Sequence, residues 1–127
     1  MQQAKYVRLY SDESGESHFE DLETALPPVD FAQPAAPLNI GQLLPATQTL
    51  WMGAPAGWAG EEFHPSPRRQ IFCLVQGEYE VTASDGNVGA FPVGSVLLLE
   101  GTTGKEHSTR FTNRDGLIFA VALADAD

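Results

Sequence analysis

The side chains best suited to chemistry are concentrated in one polar stretch and in one histidine that follows it. The stretch reads Glu61-Glu-Phe-His64-Pro-Ser-Pro-Arg-Arg-Gln70, and His107 comes later, after a glycine-containing loop. Successive side chains of an extended chain point to opposite faces, so Glu62, His64, Ser66 and Gln70 are expected to share one face. Imidazole suits Zn, Fe, Cu and Ni, and two histidines brought together inside a barrel could hold such a metal.

Short strands separated by turns are the elements that must position these residues. The continuous apolar run Ile71–Val75 is typical of a strand buried on both faces. Glu78–Thr82 alternates polar and apolar residues, which indicates a half-buried strand, and Ser84-Asp-Gly-Asn87 predicts a hairpin turn. Further strands are predicted at Thr47–Met52, Val88–Phe91, Ser95–Glu100, His107–Thr112 and Leu117–Leu123. The pattern predicts an all-β sandwich or small barrel over residues 47–127.

Residues 1–46 differ from the rest and predict an extended arm. Tyr6–Tyr10 and His18–Leu26 could be short strands, and Pro27, Pro28, Pro34, Pro37 and Pro45 then follow too closely for a helix of ordinary length. The apolar residues between these prolines need a surface to lie on. We therefore expect the arm to pack on its own barrel or on that of a partner.

The first chemical stretch resembles the first motif of the cupin superfamily, G-x5-H-x-H-x3,4-E-x6-G, as found in small single-domain bacterial cupins. His64, Gln70 and Gly77 stand at the first His, the Glu and the final Gly of that motif. Ser66 replaces its second His, and Trp58 replaces its opening Gly.

The region around His107 resembles the second cupin motif, G-x5-P-x-G-x2-H-x3-N. Gly104 and His107 match its central G-x2-H. Thr102, Phe111 and Val96 replace the Pro, the terminal Asn and the opening Gly. The resemblance covers residues 47–123 and implies a jelly-roll β-barrel.

Cupins typically hold a divalent metal through three His and one Glu, so the resemblance implies a metal site of His64, Gln70 and His107. The metal would be Fe, Mn, Ni or Zn, although Gln70 offers only a neutral amide oxygen. An alternative set joins Glu62 to the two histidines as a two-His-one-carboxylate triad. The other interpretation is metal-free: the histidines are hydrogen-bonding groups of the barrel, and Gln70 binds a loop backbone.

Candidate substrate-binding residues flank this site. Trp58, Ser66 and Arg68 are predicted to contact a small molecule, although aromatic residues near a barrel usually fill its core. Arg68 and Arg69 either hold an anionic substrate by bidentate contacts or pair with surface carboxylates. His18, in the arm, is either simply exposed or lent across a dimer interface.

Composition excludes some classes of partner. Seven Lys and Arg against 17 Asp and Glu give a formal charge of −10, which argues against binding nucleic acid or anionic membranes. The longest apolar run, Leu117–Ala124, is far shorter than the ~20 residues of a spanning helix. The start of the chain has no apolar stretch of signal-peptide length, and the lone Cys73 excludes an intrachain disulfide and fits a reducing compartment. We therefore expect a cytoplasmic protein.

Two functions follow from these residues. One is a divalent-metal-dependent enzyme of the oxygenase or isomerase type, and the other is a metal-free module that binds or senses a small molecule. The apolar arm has more surface to cover than one small barrel offers, and cupin barrels commonly pair, so a homodimer is also predicted.

Overall fold

β-Strands form every regular element in the part of the chain that the computed structural model describes, which is residues 1–41 and 44–124, with only the backbone at Glu61. The strands are β1 (Gln3–Ser11), β2 (Ser17–Ala25), β3 (Pro28–Val29), β4 (Leu38–Asn39), β5 (Ala46–Ala54), β6 (Ala59–His64), β7 (Gln70–Gln76), β8 (Tyr79–Ala83), β9 (Val88–Phe91), β10 (Val96–Leu99), β11 (His107–Phe111) and β12 (Gly116–Leu123). In these ranges there is no helix with the length and hydropathy needed to cross a bilayer.

Two facing sheets build the barrel. The larger sheet has the strand order β2-β1-β10-β7-β12-β5, and the smaller has the order β6-β11-β8-β9. β1 runs parallel to β10, whereas the other neighbouring strands in both sheets are antiparallel. This arrangement confirms the all-β jelly-roll barrel that the sequence predicts.

The core lies between the two sheets. Leu9, Leu97 and Ile118 of the larger sheet are almost completely buried, and so is Tyr79 of the smaller one. The Tyr79 ring stacks on Phe111 with 5.6 Å between ring centroids. Burying a large apolar side chain stabilises the fold by roughly 1.5–3 kcal/mol, so this layer accounts for much of the stability of the barrel.

Gly77 makes the tight connection from β7 to β8 possible. Its φ is +83°, and a Cβ at this position would lie 2.7 Å from the carbonyl oxygen of Asp115. Any side chain would therefore collide with the neighbouring turn, which explains the glycine at this motif position.

The strands suggested in the first 46 residues are present as β1 and β2, and both belong to the larger sheet. The proline-rich part that follows them contains the small β3–β4 ladder, where Val29, Phe31 and Leu38 are exposed. Packing of this part of the arm on a partner stays a prediction.

The apolar run of β7 was expected to be buried on both of its faces, and this is wrong for one of them. Leu74 is buried in the core, but Val75 is 46% exposed on the side of the sheet that points away from it. Neighbouring side chains on β12 and β5 point the same way by register. We call this surface the outer face; its members are Ile71, Cys73, Val75, Leu117, Phe119, Val121, Thr49 and Trp51.

Candidate functional site

A cavity of about 520 Å³ opens between the two sheets. Its walls are mostly apolar, with Leu50, Met52, Phe72, Phe111 and Ile118 among the lining residues. The lining also contains both candidate histidines and all of the residues that the sequence predicts as substrate-binding. Ligand sites in proteins typically have this size and this mixture of many apolar groups and a few polar ones.

His64 and His107 face each other across the β6–β11 pair. They are directly opposite in the strand register, and their ring centroids are 5.0 Å apart. His107 is buried, whereas His64 is exposed at the opening of the cavity. The Nδ1 of His64 donates a hydrogen bond to the carbonyl oxygen of Pro65 at 3.0 Å, and the Nε2 atom has no hydrogen-bond partner among the described residues.

Ser66 and Gln70 are buried and form a hydrogen-bond chain. Gln70 Nε2 donates to Ser66 Oγ at 3.1 Å, and Ser66 Oγ donates to the backbone carbonyl of Arg68. Both side chains line the cavity. The chain fixes the loop between β6 and β7, but Gln70 reaches the loop backbone only through the Ser66 hydroxyl, and not directly as the sequence predicts.

The two neighbouring arginines have different surroundings. Arg69 Nη2 lies 2.9 Å from Glu100 Oε2, and Arg8 binds the other oxygen of the same carboxylate. Burial raises the pKa of Glu100, but the hydrogen bonds from the two arginines outweigh it and hold that pKa below its usual value of 4.5. Arg68 instead lines the cavity, where its Nη1 donates to Gln48 Oε1 at 3.1 Å.

Trp58 lies at the edge of the cavity. Its side chain is 44% exposed, and its ring makes an edge contact with Phe111 at 6.1 Å between centroids. The tryptophan therefore contributes to the cavity wall and remains accessible to a ligand.

The residues around the histidines fit a metal poorly. In the described ranges, no group of three His, Cys, Asp or Glu side chains is close enough to hold an ion. Glu62 is exposed and is not among the residues that line the cavity, so the triad with Glu62 is not formed. Two imidazoles and the neutral Gln70 amide form a weaker donor set than three imidazoles and a carboxylate.

Glu106 is a buried carboxylate behind the site that sequence reasoning missed. It accepts a hydrogen bond from the Ser11 hydroxyl, and its Oε1 lies 3.8 Å from the Nδ1 of His107. Neither of those two atoms has a hydrogen-bond partner among the described residues. A Glu between Lys105 and His107 looks like an exposed loop residue, so the sequence carries no signal of this burial.

Comparison with known proteins identifies the fold. No family model matches the chain, and no curated protein matches it. Among solved structures, it is similar to the cupin domain of Cnp3 from Schizosaccharomyces pombe, with a TM-score of 0.50 and 15% sequence identity over 97% of this chain and 84% of that one. The chain thus has a cupin-type fold, as the two sequence motifs predict.

Proposed function

We propose that this protein binds a small, largely apolar molecule in the cavity between its sheets and does so without a metal. The observation that carries the proposal is the cavity itself, about 520 Å³ with apolar walls and a polar corner. Trp58, Ser66 and Arg68 would contact the ligand. His64 and His107 would act as hydrogen-bonding groups at the same corner.

A divalent-metal-dependent enzyme is the second candidate. One observation favours it: the imidazoles of His64 and His107 are adjacent, and the His64 Nε2 has no hydrogen-bond partner among the described residues. Against it, Gln70 offers only a neutral amide oxygen, and no carboxylate is among the described residues that line the cavity. This donor chemistry makes metal-free binding the better supported function.

A neutral fluorescent probe, N-phenyl-1-naphthylamine, tests the proposal. We expect the wild type to bind it, and we expect Leu50→Trp to weaken binding at least about tenfold because the larger side chain fills the cavity. Thr49→Trp is the matched control, since the neighbouring side chain on β5 points away from the cavity. No binding by the wild type, or equal binding by both variants, would contradict the proposal.

Metal analysis of tag-free protein separates the two candidates. We expect less than stoichiometric Fe, Mn, Ni or Zn in the wild type and in His64→Ala and His107→Ala. Stoichiometric metal that both substitutions remove would instead favour the enzyme.

We also propose that the protein is a cytoplasmic homodimer. The lone Cys73 fits a reducing compartment. The outer face supports a dimer because it is apolar and carries no charged side chain.

A further inference from the structure

The cavity differs in charge from the rest of the protein. The chain has 17 acidic residues and a formal charge of −10, yet no Asp or Glu is among the described residues that line the cavity. Arg68 is in that lining and is always charged at physiological pH. The cavity therefore carries positive charge inside an acidic molecule.

Three arginines of this protein have a carboxylate partner, whereas Arg68 and Arg114 have none among the described side chains. Arg8 and Arg69 share Glu100, and Arg110 Nε lies 2.8 Å from Glu80 Oε2. Among the side chains that the structure describes, which do not include that of Glu61, Arg68 has no carboxylate at ion-pair distance, and its side-chain hydrogen bond goes to the neutral amide of Gln48. Arg68 is an exposed residue that also lines the apolar cavity, and a guanidinium there with no carboxylate partner among the described side chains favours an anionic group on the ligand.

The loop that carries Arg68 is held by two of the residues that depart from the cupin motifs. Gln70 and Ser66 stand where the motif has Glu and His, and their hydrogen-bond chain ends on the Arg68 carbonyl. Relative to the motif, Ser66 and Gln70 lack the imidazole and carboxylate donors that a metal would need. Their hydrogen bonds instead fix the backbone of Arg68, the residue that an anion would need.

From this arrangement we infer that the ligand is an amphipathic anion, an apolar body with one carboxylate or sulfonate group, and that Arg68 binds the acidic group. The inference rests on the proposed function, because the apolar body must occupy the same cavity. Ser66 and Gln70 act as positioning residues for Arg68.

Two probes with the same aromatic frame test the inference. Anilinonaphthalene sulfonate carries a sulfonate, and N-phenyl-1-naphthylamine does not. We expect Arg68→Gln to weaken sulfonate binding about tenfold, as for the loss of one charge-assisted hydrogen bond, and to leave the neutral probe within about twofold. Unchanged binding of the neutral probe also reports that the variant is folded.

Arg110→Gln is the matched control, because it removes the same charge at a residue outside the cavity lining. It should leave both affinities within about twofold. Ser66 also lines the cavity, so Ser66→Ala should weaken the sulfonate probe more than the neutral one, and added salt should weaken only the sulfonate.

Failure of the inference can be told from failure of the proposed function. If the neutral probe binds but Arg68→Gln leaves sulfonate binding unchanged, or if Arg110→Gln weakens it equally, then the ligand is not selected as an anion. If neither probe binds the wild type, then the cavity is not a ligand site and both proposals fall.

Discussion

His18 connects two turns through its imidazole ring. Its Nε2 lies 2.6 Å from Asp12 Oδ2, and its Nδ1 lies 2.9 Å from Asp85 Oδ2. The hydrogen bond to Asp12, and then that to Asp85, raises the pKa of His18 above its usual 6.5. The charged ring thereby links the turn after β1 to the turn between β8 and β9. This structural role differs from both alternatives that the sequence suggests, a simply exposed residue or one contributed across a dimer interface.

This raised pKa predicts a pH-dependent stability. Below pH 6.5, His18 is protonated in both the folded and the unfolded chain, so its stabilising contribution is complete. That contribution is lost as the pH rises through the raised folded-state pKa. We expect the free energy of unfolding, measured by urea titration at low salt from pH 6 to 9, to fall over this range in the wild type more than in His18→Gln.

His64→Gln is the control for this experiment. The His64 ring binds the Pro65 carbonyl and faces no carboxylate within the described part of the chain, so this variant should keep the wild-type slope. Equal slopes in the wild type and His18→Gln would show that the two contacts do not stabilise the fold.

At the scale of elements, the connection from β10 to β11 is packed around one carboxylate. Glu106 has a φ of +59°, which is uncommon for a residue with a side chain, and it is completely buried. Its carboxylate occupies the space where a side chain on Gly101 would be. The absence of a side chain at Gly101 is therefore what admits Glu106 behind His107.

This packing predicts that Gly101→Ala destabilises the protein by about 1–3 kcal/mol, because the added methyl overlaps a buried group. Thermal and urea unfolding would measure the loss. A double-mutant cycle with Glu106→Ala supplies the control, since removing the carboxylate should recover part of the cost of the methyl. Additive effects of the two substitutions would show that the residues are not coupled.

The sequence predicts the strands of this fold better than the connections between them. The hairpin at Ser84–Asn87 and the strand Val88–Phe91 are confirmed, because turn residues and alternation act locally. The strand predicted at Thr47–Met52 extends to Ala54 in the structure, and β6 begins at Ala59. The pairing of these residues with β12 and β11 depends on contacts that are distant in sequence.

The proximity of the two histidines was predictable. The cupin motifs imply that His64 and His107 share one site, and the strand register places them opposite each other. The separate roles of Arg68 and Arg69 were not predictable, because they depend on where Glu100 and Gln48 lie in space. The burial of Glu106 depends on Gly101 and Ser11, which no local pattern connects to it.

At the scale of the whole molecule, the net charge restricts which surfaces can associate. Two copies with a formal charge of −10 repel each other. The outer face carries no charge, and it includes Trp51, which is 63% exposed and makes an edge contact with Phe119. An apolar surface of this kind typically marks a protein interface, and a second copy with the same face would cover it without bringing acidic groups into the contact.

We therefore predict that the wild type is a dimer by light scattering and that Val75→Glu makes it a monomer, because the substitution buries like charges opposite each other. Val88→Glu is the matched control: Val88 is 58% exposed, but it lies on β9 of the other sheet. Added salt should strengthen the dimer by screening the repulsion between copies. A variant in which a glycine–serine linker replaces residues 28–39 tests the arm. If that variant is a monomer while Val75→Glu remains a dimer, the interface lies on the arm and not on the outer face. A wild type that is monomeric at every salt concentration would contradict the dimer itself.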